Sequence, residues 1–389
     1  MSLHPETDVI HRGEGARAAA TPLTTPIYAT TTFTFASAAD LEAYQQGRGG
    51  HYIYSRYANP TVQAVEEKLA LLEGAERAIV TSSGMAATAT ALFGLLKAGD
   101  DVVCSAAIYG GTLQLIATLL DRFGVRSRFA SLEELAALDR VIGPATKVVW
   151  FESPINPTLR CVDVRRVADA CRAHGVISVL DNTFASPVNQ QPIALGVDLV
   201  MHSATKYLNG HSDVTAGALI GSAAIIERLH PARKLFGGVL DPASAYTLAR
   251  GLKTIHVRMA RHNANAQHVA AWLSADKRVQ RVFYPGLASH PDRDIARRQM
   301  SGFGGMVTFE VAGYAAACRV FDRLKIIQRA ASLGGVESLC SLPVLTSQYG
   351  FTDDQLAAAG VTRGMLRLSI GLEHQDDLVA DLDQALELE

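Results

Sequence analysis

The chain has 389 residues, 48% hydrophobic and 19% charged, with 36 Lys plus Arg against 38 Asp plus Glu and a net charge of −2. This is the balance of a folded protein with a large buried core, long enough for two domains. It supplies neither a basic field for nucleic acid nor a strong acidic one, so the expected partners are small molecules or further copies of the chain. The opening MSLHPETDVIHRGEG lacks the basic and apolar regions of a signal peptide, and the longest nearly apolar run, residues 85–96, is too short to span a bilayer. A cytoplasmic protein is expected. The five cysteines (Cys104, Cys161, Cys171, Cys318 and Cys340) are odd in number and lack CxxC spacing, so they suggest no disulfide framework and no zinc or other metal site. They read as small buried hydrophobes.

Residues 1–55, rich in Thr, Ala and Pro (TPLTTPIYATTTF), show no sustained period and predict an extended arm lying against a neighbouring subunit. Residues 56–250 alternate helix-like stretches (85–97, 111–123, 163–174) with the short runs AIVTS, DVVCS, KVVWFE, VISVLDN, DLVMHS and GALIG. Such runs read as buried parallel strands, and the whole as an α/β sheet, mainly parallel, with helices on both faces. A long helical segment near 242–273, then strands at VQRVFYP and GGMVTFEVAG, predict a smaller C-terminal α+β domain over 251–389.

In an open parallel sheet, ligands bind beyond the carboxyl ends of the strands, where loops diverge and helix N-termini present free N–H groups. Four consecutive strand ends carry compact polar groups: Ser82-Ser83-Gly84-Met85, Glu152-Ser153-Pro154-Ile155-Asn156-Pro157, Asp181-Asn182-Thr183 and Ser203-Ala204-Thr205-Lys206. Ser83, Gly84 and Met85 at a helix start, with the hydroxyls of Ser203 and Thr205, form a candidate phosphate cup. The glycine fingerprints of dinucleotide and nucleoside-triphosphate binders are absent. A lysine beside the hydroxyls and an aspartate on an adjacent strand fit pyridoxal 5'-phosphate (PLP), with the lysine as imine partner and the aspartate keeping the pyridine nitrogen protonated. Glu152 is expected to order its loop, and His202 and His211 to be structural.

At SATKYLNGHSD the chain resembles the Cys/Met metabolism (transsulfuration) family of PLP-dependent enzymes: cystathionine γ-synthase, the cystathionine γ- and β-lyases, methionine γ-lyase and the O-acylhomoserine sulfhydrylases. The likeness runs nearly end to end through YSRYANPT (54–61), SSGMAA (82–87), YGGT (109–112), ESPINP (152–157), DNTFASP (181–187), RGLKT (250–254), SLGGVESL (332–339) and RLSIGLE (367–373). It implies PLP-dependent transferase fold type I (aspartate aminotransferase-like) and a homotetramer of dimers that complete each other's sites. It also implies that Lys206 is the Schiff-base lysine and proton shuttle and that Asp181 partners the pyridine nitrogen. The N–H groups of Gly84 and Met85 would hold phosphate more than Ser83 does, alongside Ser203 and Thr205, with Thr183 a further cofactor-side candidate. Tyr54 and Arg56 would reach the phosphate of the neighbouring subunit. Tyr109 would stack on the ring and assist proton transfer, and Asn156 would lie near the ring hydroxyl. Arg367, with the backbone at Ser332 and Leu333, would bind the substrate carboxylate, for which a planar guanidinium is suited.

The implied reaction is γ-replacement or γ-elimination on homoserine-derived or sulfur amino acids, of the cystathionine γ-synthase or γ-lyase type. SLGGVESL and GHSD favour that branch over the sulfhydrylases. Two departures pull the other way: Ala331 and Ile53 stand where cystathionine enzymes commonly carry acids for the distal ammonium, which suits smaller or less charged γ-substituents. Gly111 stands where methionine γ-lyases usually carry cysteine. Homoserine-ester sulfhydrylase and methionine γ-lyase are therefore the rival readings.

Overall fold

The computed structural model describes residues 3–12 and 22–387. Its larger sheet has seven strands: β1 (Arg77–Thr81), β2 (Asp101–Ser105), β3 (Arg126–Ala130), β4 (Thr146–Glu152), β5 (Ile177–Asp181), β6 (Leu199–His202) and β7 (Gly217–Gly221). They lie in the order β1-β7-β6-β5-β4-β2-β3. Pairing is parallel from β3 through β6, and β7 runs antiparallel between β6 and β1. The carboxyl ends of β1, β4, β5 and β6 therefore share one edge.

The strands read as continuous apolar runs because both faces are covered. In β4, Val149 and Phe151 join one core with Val62, Val65 and Leu69 of the helix Pro60–Glu73. Val148 and Trp150 join the opposite core with Leu92 and Leu95 of the helix Gly84–Leu95. Burying a side chain as large as Trp150 or Phe151 contributes about 1.5–3 kcal/mol. Caps set the helix limits: the Ser83 side chain accepts from the Ala86 N–H at 3.1 Å, and Gly74, at φ 65°, ends Pro60–Glu73 in the left-handed region.

The smaller sheet has five strands, β8 (Arg281–Phe283), β9 (Met306–Glu310), β10 (Gln328–Arg329), β11 (Leu339–Ser341) and β12 (Met365–Ser369), in the order β10-β11-β12-β9-β8. All its pairs are antiparallel except β10 with β11. Helices Ile255–Ala275, Tyr314–Arg323 and Gln375–Leu386 pack on it through Val269, Leu273, Val320, Leu378 and Leu382. With the seven-stranded sheet, this is the α/β architecture with an added α+β layer that the sequence predicts.

Three local features differ from the sequence reading. The segment predicted as one helix over 242–273 is two, Pro242–Leu252 and Ile255–Ala275. Arg258 holds the break by donating to the Gly251 carbonyl at 2.8 Å and the Thr254 hydroxyl at 3.0 Å. Strand β3 (RSRFA) was not expected, because it is an exposed edge strand whose charged residues give no apolar run. In the N-terminal stretch the described residues include two short helices, Pro5–His11 and Ala38–Gln45, rather than extended chain alone. That stretch is tied down locally: Thr61 donates to the Pro26 carbonyl at 2.8 Å and Asn59 to the Tyr28 carbonyl at 2.9 Å. All five cysteines are free thiols and all but Cys318 are buried. Among the described residues no helix is long and apolar enough to cross a membrane.

Candidate active site

At the carboxyl edge of the large sheet a cavity of about 630 Å³ opens toward the small sheet. Ser83, Gly84, Met85, Tyr109, Glu152, Asn156, Asp181, Thr183, Ser203, Thr205 and Lys206 face it from one side, and Ser332, Leu333 and Arg367 from the other. The structure thus brings together every predicted site residue except Tyr54 and Arg56.

Ser83 spends its hydroxyl on capping its own helix, which leaves the N–H groups of the first turn, at Gly84 and Met85, as donors facing the cavity. Gly84 packs closely there: a Cβ on it would lie 3.0 Å from Cβ of Ser203. The Thr205 hydroxyl donates to the Ala216 carbonyl at 3.1 Å and accepts from its N–H at 3.0 Å. Thr183 ties two strand ends together: its hydroxyl donates to Oδ1 of Asp181 at 2.5 Å and accepts the Ser203 N–H at 2.8 Å.

Asp181 and Glu152 are in-register neighbours on β5 and β4. Glu152 accepts the Tyr109 N–H through Oε2 and the Asn156 N–H through Oε1, both at 3.1 Å, so it orders two loops, as expected of it. Burial, together with the charge of Asp181, pushes the Glu152 carboxyl up to about 8. Burial also raises Asp181, against the Thr183 hydrogen bonds and the charge of His202, which lower it. Two adjacent buried carboxyls resist ionising together, so a cation or proton is held at this end.

The opposite end is basic. Lys206 Nζ donates to the Ser332 hydroxyl at 2.8 Å, and burial followed by the charge of Arg367 lowers its pKa. Arg367 donates to Oδ1 of Asn156 at 2.8 Å and to the Ser332 carbonyl at 3.3 Å. Its Nε is buried without a partner, and burial pushes the guanidinium down to about 10. A buried guanidinium with no carboxylate hydrogen-bonded to it is a ready anion receptor.

Tyr109 is 49% exposed and starts the helix Gly110–Thr118. Its ring leans over Gly111, where an added Cβ would lie 2.6 Å from Cε1. Tyr54 is 38% exposed and away from this cavity, and Arg56 donates to the Lys234 carbonyl at 2.8 Å while its guanidinium lies over the Tyr57 ring. The cavity also takes in Phe184, Thr215, Leu345, Thr346 and Ser347, which the sequence does not single out. Phe184 sits inside the quoted DNTFASP, but residues 345–347 lie at the end of the short 3-10 turn Pro343–Leu345 and just after it, with no pattern to mark them.

A doubly covered, mainly parallel sheet with a lysine, an aspartate and a helix N-terminus at its carboxyl edge defines an α/β enzyme whose candidate site lies at that edge. The family described as Cys/Met metabolism PLP-dependent enzyme matches residues 6–387, and the chain belongs to it. The L-methionine gamma-lyase of Pseudomonas putida is 42% identical over 383 residues, covering 98% of this chain and 96% of that protein. Cystathionine gamma-synthase 1, chloroplastic, of Nicotiana tabacum is 39% identical over 382 residues, 97% of this chain and 71% of the other. The crystal structure of metB from Corynebacterium glutamicum superposes with a TM-score of 0.92 at 38% identity, covering 99% of this chain and 98% of that one. The protein is a PLP-dependent enzyme of Cys/Met metabolism, as the motifs from YSRYANPT to RLSIGLE imply.

Proposed function

We propose that the cavity binds PLP through Lys206, and that the enzyme carries out γ-replacement or γ-elimination on homoserine-derived or sulfur amino acids. The single observation that carries this reading is the convergence of Lys206 and Arg367 on Ser332, at the end of the cavity opposite the acid pair. The cavity fits the cofactor in chemistry: first-turn donors and hydroxyls for a phosphate, a buried carboxyl for a pyridine nitrogen, and an amine lowered toward its free-base form. Bound PLP supplies an electron sink for the charge left at Cα of an amino acid. Gly84, Met85, Ser203 and Thr205 would hold its phosphate, Asp181 buttressed by Thr183 its ring nitrogen, and Tyr109 its ring face, with Asn156 near the ring hydroxyl. Arg367, using its unpartnered Nε, with the backbone at Ser332 and Leu333, would take the substrate carboxylate, and Lys206 would carry the proton from Cα.

The γ-substituent would extend toward Ala331, Leu345, Thr346 and Ser347, a wall without a carboxylate. An ammonium placed there would lack a partner. Cystathionine γ-synthase or γ-lyase type chemistry is the leading assignment. The uncharged wall supports a second reading, in which the γ-substituent is an O-acyl or methylthio group, as in an O-acetyl- or O-succinylhomoserine sulfhydrylase or a methionine γ-lyase.

The decisive experiment is product analysis with O-acetylhomoserine, O-succinylhomoserine, cystathionine and methionine, each with and without cysteine or sulfide. Release of 2-oxobutanoate or formation of a thioether supports the assignment. Loss of an amino group only to an added keto acid would replace it with transamination. Borohydride reduction of the yellow protein should tag Lys206, and a label elsewhere would overturn the site.

Residues 1–55 would contribute to a second copy's site, in a homotetramer built from such dimers. Tyr54 and Arg56 do not line their own cavity, and Arg56 donates to the Lys234 carbonyl beside Leu235 and Phe236, which are 78% and 63% exposed. Light scattering that found a fully active monomer would refute this.

A further inference from the structure

Lys206 sits in a tight turn, its N–H donating to the Ser203 carbonyl at 3.1 Å and its carbonyl accepting the Gly210 N–H at 2.8 Å. Asn209 closes the same turn on the Ala204 carbonyl at 3.0 Å. The next residue, Tyr207, is buried and held at both ends. Its hydroxyl accepts the Gly305 N–H at 3.1 Å, and its carbonyl accepts from Nη1 of Arg258 at 2.7 Å. Arg258, in the first turn of the helix Ile255–Ala275, also donates to the Gly251 carbonyl at 2.8 Å and the Thr254 hydroxyl at 3.0 Å, with a longer contact to the Leu208 carbonyl at 3.5 Å. One guanidinium thus joins the lysine-bearing turn, the end of the helix Pro242–Leu252 and the start of the long helix that packs on the small sheet.

Arg258 is 4% exposed, and among the described residues its hydrogen bonds go only to carbonyls and a hydroxyl. A buried charge with neutral partners alone is held at a cost in solvation. Gly210, at φ 73°, leaves the room for it, since a Cβ there would collide with Nη1. A guanidinium fork fixes a carbonyl in direction as well as position, which a point donor does not. Direction matters at this turn, because the ε-amine of Lys206 ends a flexible four-carbon stem and a small rotation of its backbone is magnified at Nζ. Proton transfer needs heavy atoms about 2.6–3.2 Å apart, and a misplacement of about 1 Å can cost roughly 10²-fold. The Ser332 hydroxyl, at 2.8 Å, restrains the side chain at its tip. Arg258 restrains it at its root.

We propose that Arg258 is a positioning residue for proton transfer, gripping the Tyr207 carbonyl so that the ε-amine of Lys206 is aimed at Cα of the substrate. The inference rests on the PLP reading and deepens it by naming what aims the lysine. Arg258 does not line the cavity, so it acts only through the turn. Its helix packs on the small sheet through Val269 and Leu273, and β12 of that sheet carries Arg367. The same guanidinium therefore fixes the lysine's turn relative to the sheet that would hold the substrate carboxylate. Loosening it leaves carboxylate binding to Arg367 and slows the transfer itself.

The test follows exchange of the Cα proton of L-norleucine, a straight-chain amino acid with no leaving group, in deuterium oxide. Rates are taken per PLP-loaded site, counted by visible absorbance, so that loss of folded enzyme is corrected for. Arg258→Lys keeps the charge but cannot reach Tyr207, Gly251 and Thr254 together. It should slow exchange per site roughly 10–100-fold, with the half-saturating norleucine concentration within about threefold. Thr254→Val removes only the acceptor of Nε and guards against misfolding; it should slow exchange about threefold. In the full chain without PLP, hydrogen exchange at the Asn209 and Gly210 amides should quicken about tenfold in Arg258→Lys, while amides inside Ile255–Ala275 keep their rates. Unchanged proton exchange per loaded site in both variants, or amide exchange that quickens equally throughout, would make Arg258 a support of the fold and overturn the proposal. Absence of visible absorbance or of any norleucine exchange in the unaltered, PLP-incubated protein would instead overturn the cofactor reading itself.

Discussion

The two ends of the cavity are built on opposite principles. At the sheet edge, Glu152 and Asp181 are held rigidly: each accepts two hydrogen bonds from adjacent backbone or side chains, and both stand on strands locked in register. At the far end, Lys206 and Arg367 meet at Ser332, one on its hydroxyl and one on its carbonyl, and Arg367, which also donates to Oδ1 of Asn156, keeps a buried N–H unpaired. The acid end is over-determined, as suits a group that must fix a ring in place. The basic end has donors to spare, as suits groups that must exchange partners during turnover.

Substitutions at the basic end should therefore act on rate and binding, and those at the acid end on ionisation. Lys206→Ala should have the largest effect, lowering kcat by about 10²–10⁴-fold from lost proton transfer alone and abolishing the borohydride-stable label. Melting should change little, because relieving a buried amine offsets the lost contact with Ser332. Arg367→Lys comes next. It keeps the charge but loses the planar fork, and should lower kcat/KM by roughly 10–100-fold, mainly through KM, as expected for one charged hydrogen bond. An equal loss on substrates lacking the carboxylate would show that Arg367 supports the fold instead.

A smaller effect separates the ends by pH. Burial and the charge of Asp181 raise the Glu152 carboxyl in the fold to about 8, from an ordinary value of 4.5. Between those values the folded state holds a proton that the unfolded state has released, so this group's contribution is full below about 4.5 and is lost as pH rises through 8. Glu152→Gln, neutral throughout, should flatten that decline in a melting series from pH 5 to 8. An unchanged slope would mean that Glu152 is already ionised in the fold.

Much of this was legible in the sequence for a physical reason. The β-branched runs are buried on both faces, and their polar terminators have nowhere to go but the carboxyl edge. SSGM, DNT and SATK thus arrive at one cavity without any knowledge of tertiary contacts. The approach of Arg367 to Asn156 could not be read that way, since it spans 211 positions and two sheets. Strand β3 escaped because an exposed edge hides its period behind Arg126 and Arg128. A buried contact of His202 with Glu73 escaped because a histidine after an apolar run and a glutamate at a helix end each look ordinary alone, and only the packing of the helix Pro60–Glu73 on the sheet joins them.

The mildest substitution probes the buttress of the acid end. Thr183→Val keeps the shape of the side chain but removes the hydroxyl that donates to Asp181 and accepts from Ser203. Asp181 still accepts the Thr183 N–H at 3.0 Å, so the loss is one hydrogen bond to a charged group plus one buried N–H left bare, together about 1–3 kcal/mol. The change should lower the melting temperature by a few degrees and cofactor affinity a few-fold, while leaving KM within twofold, because the basic end is untouched. A rise in KM as large as that in Arg367→Lys would mean that the two ends are mechanically coupled, and the division of labour between them would have to be abandoned.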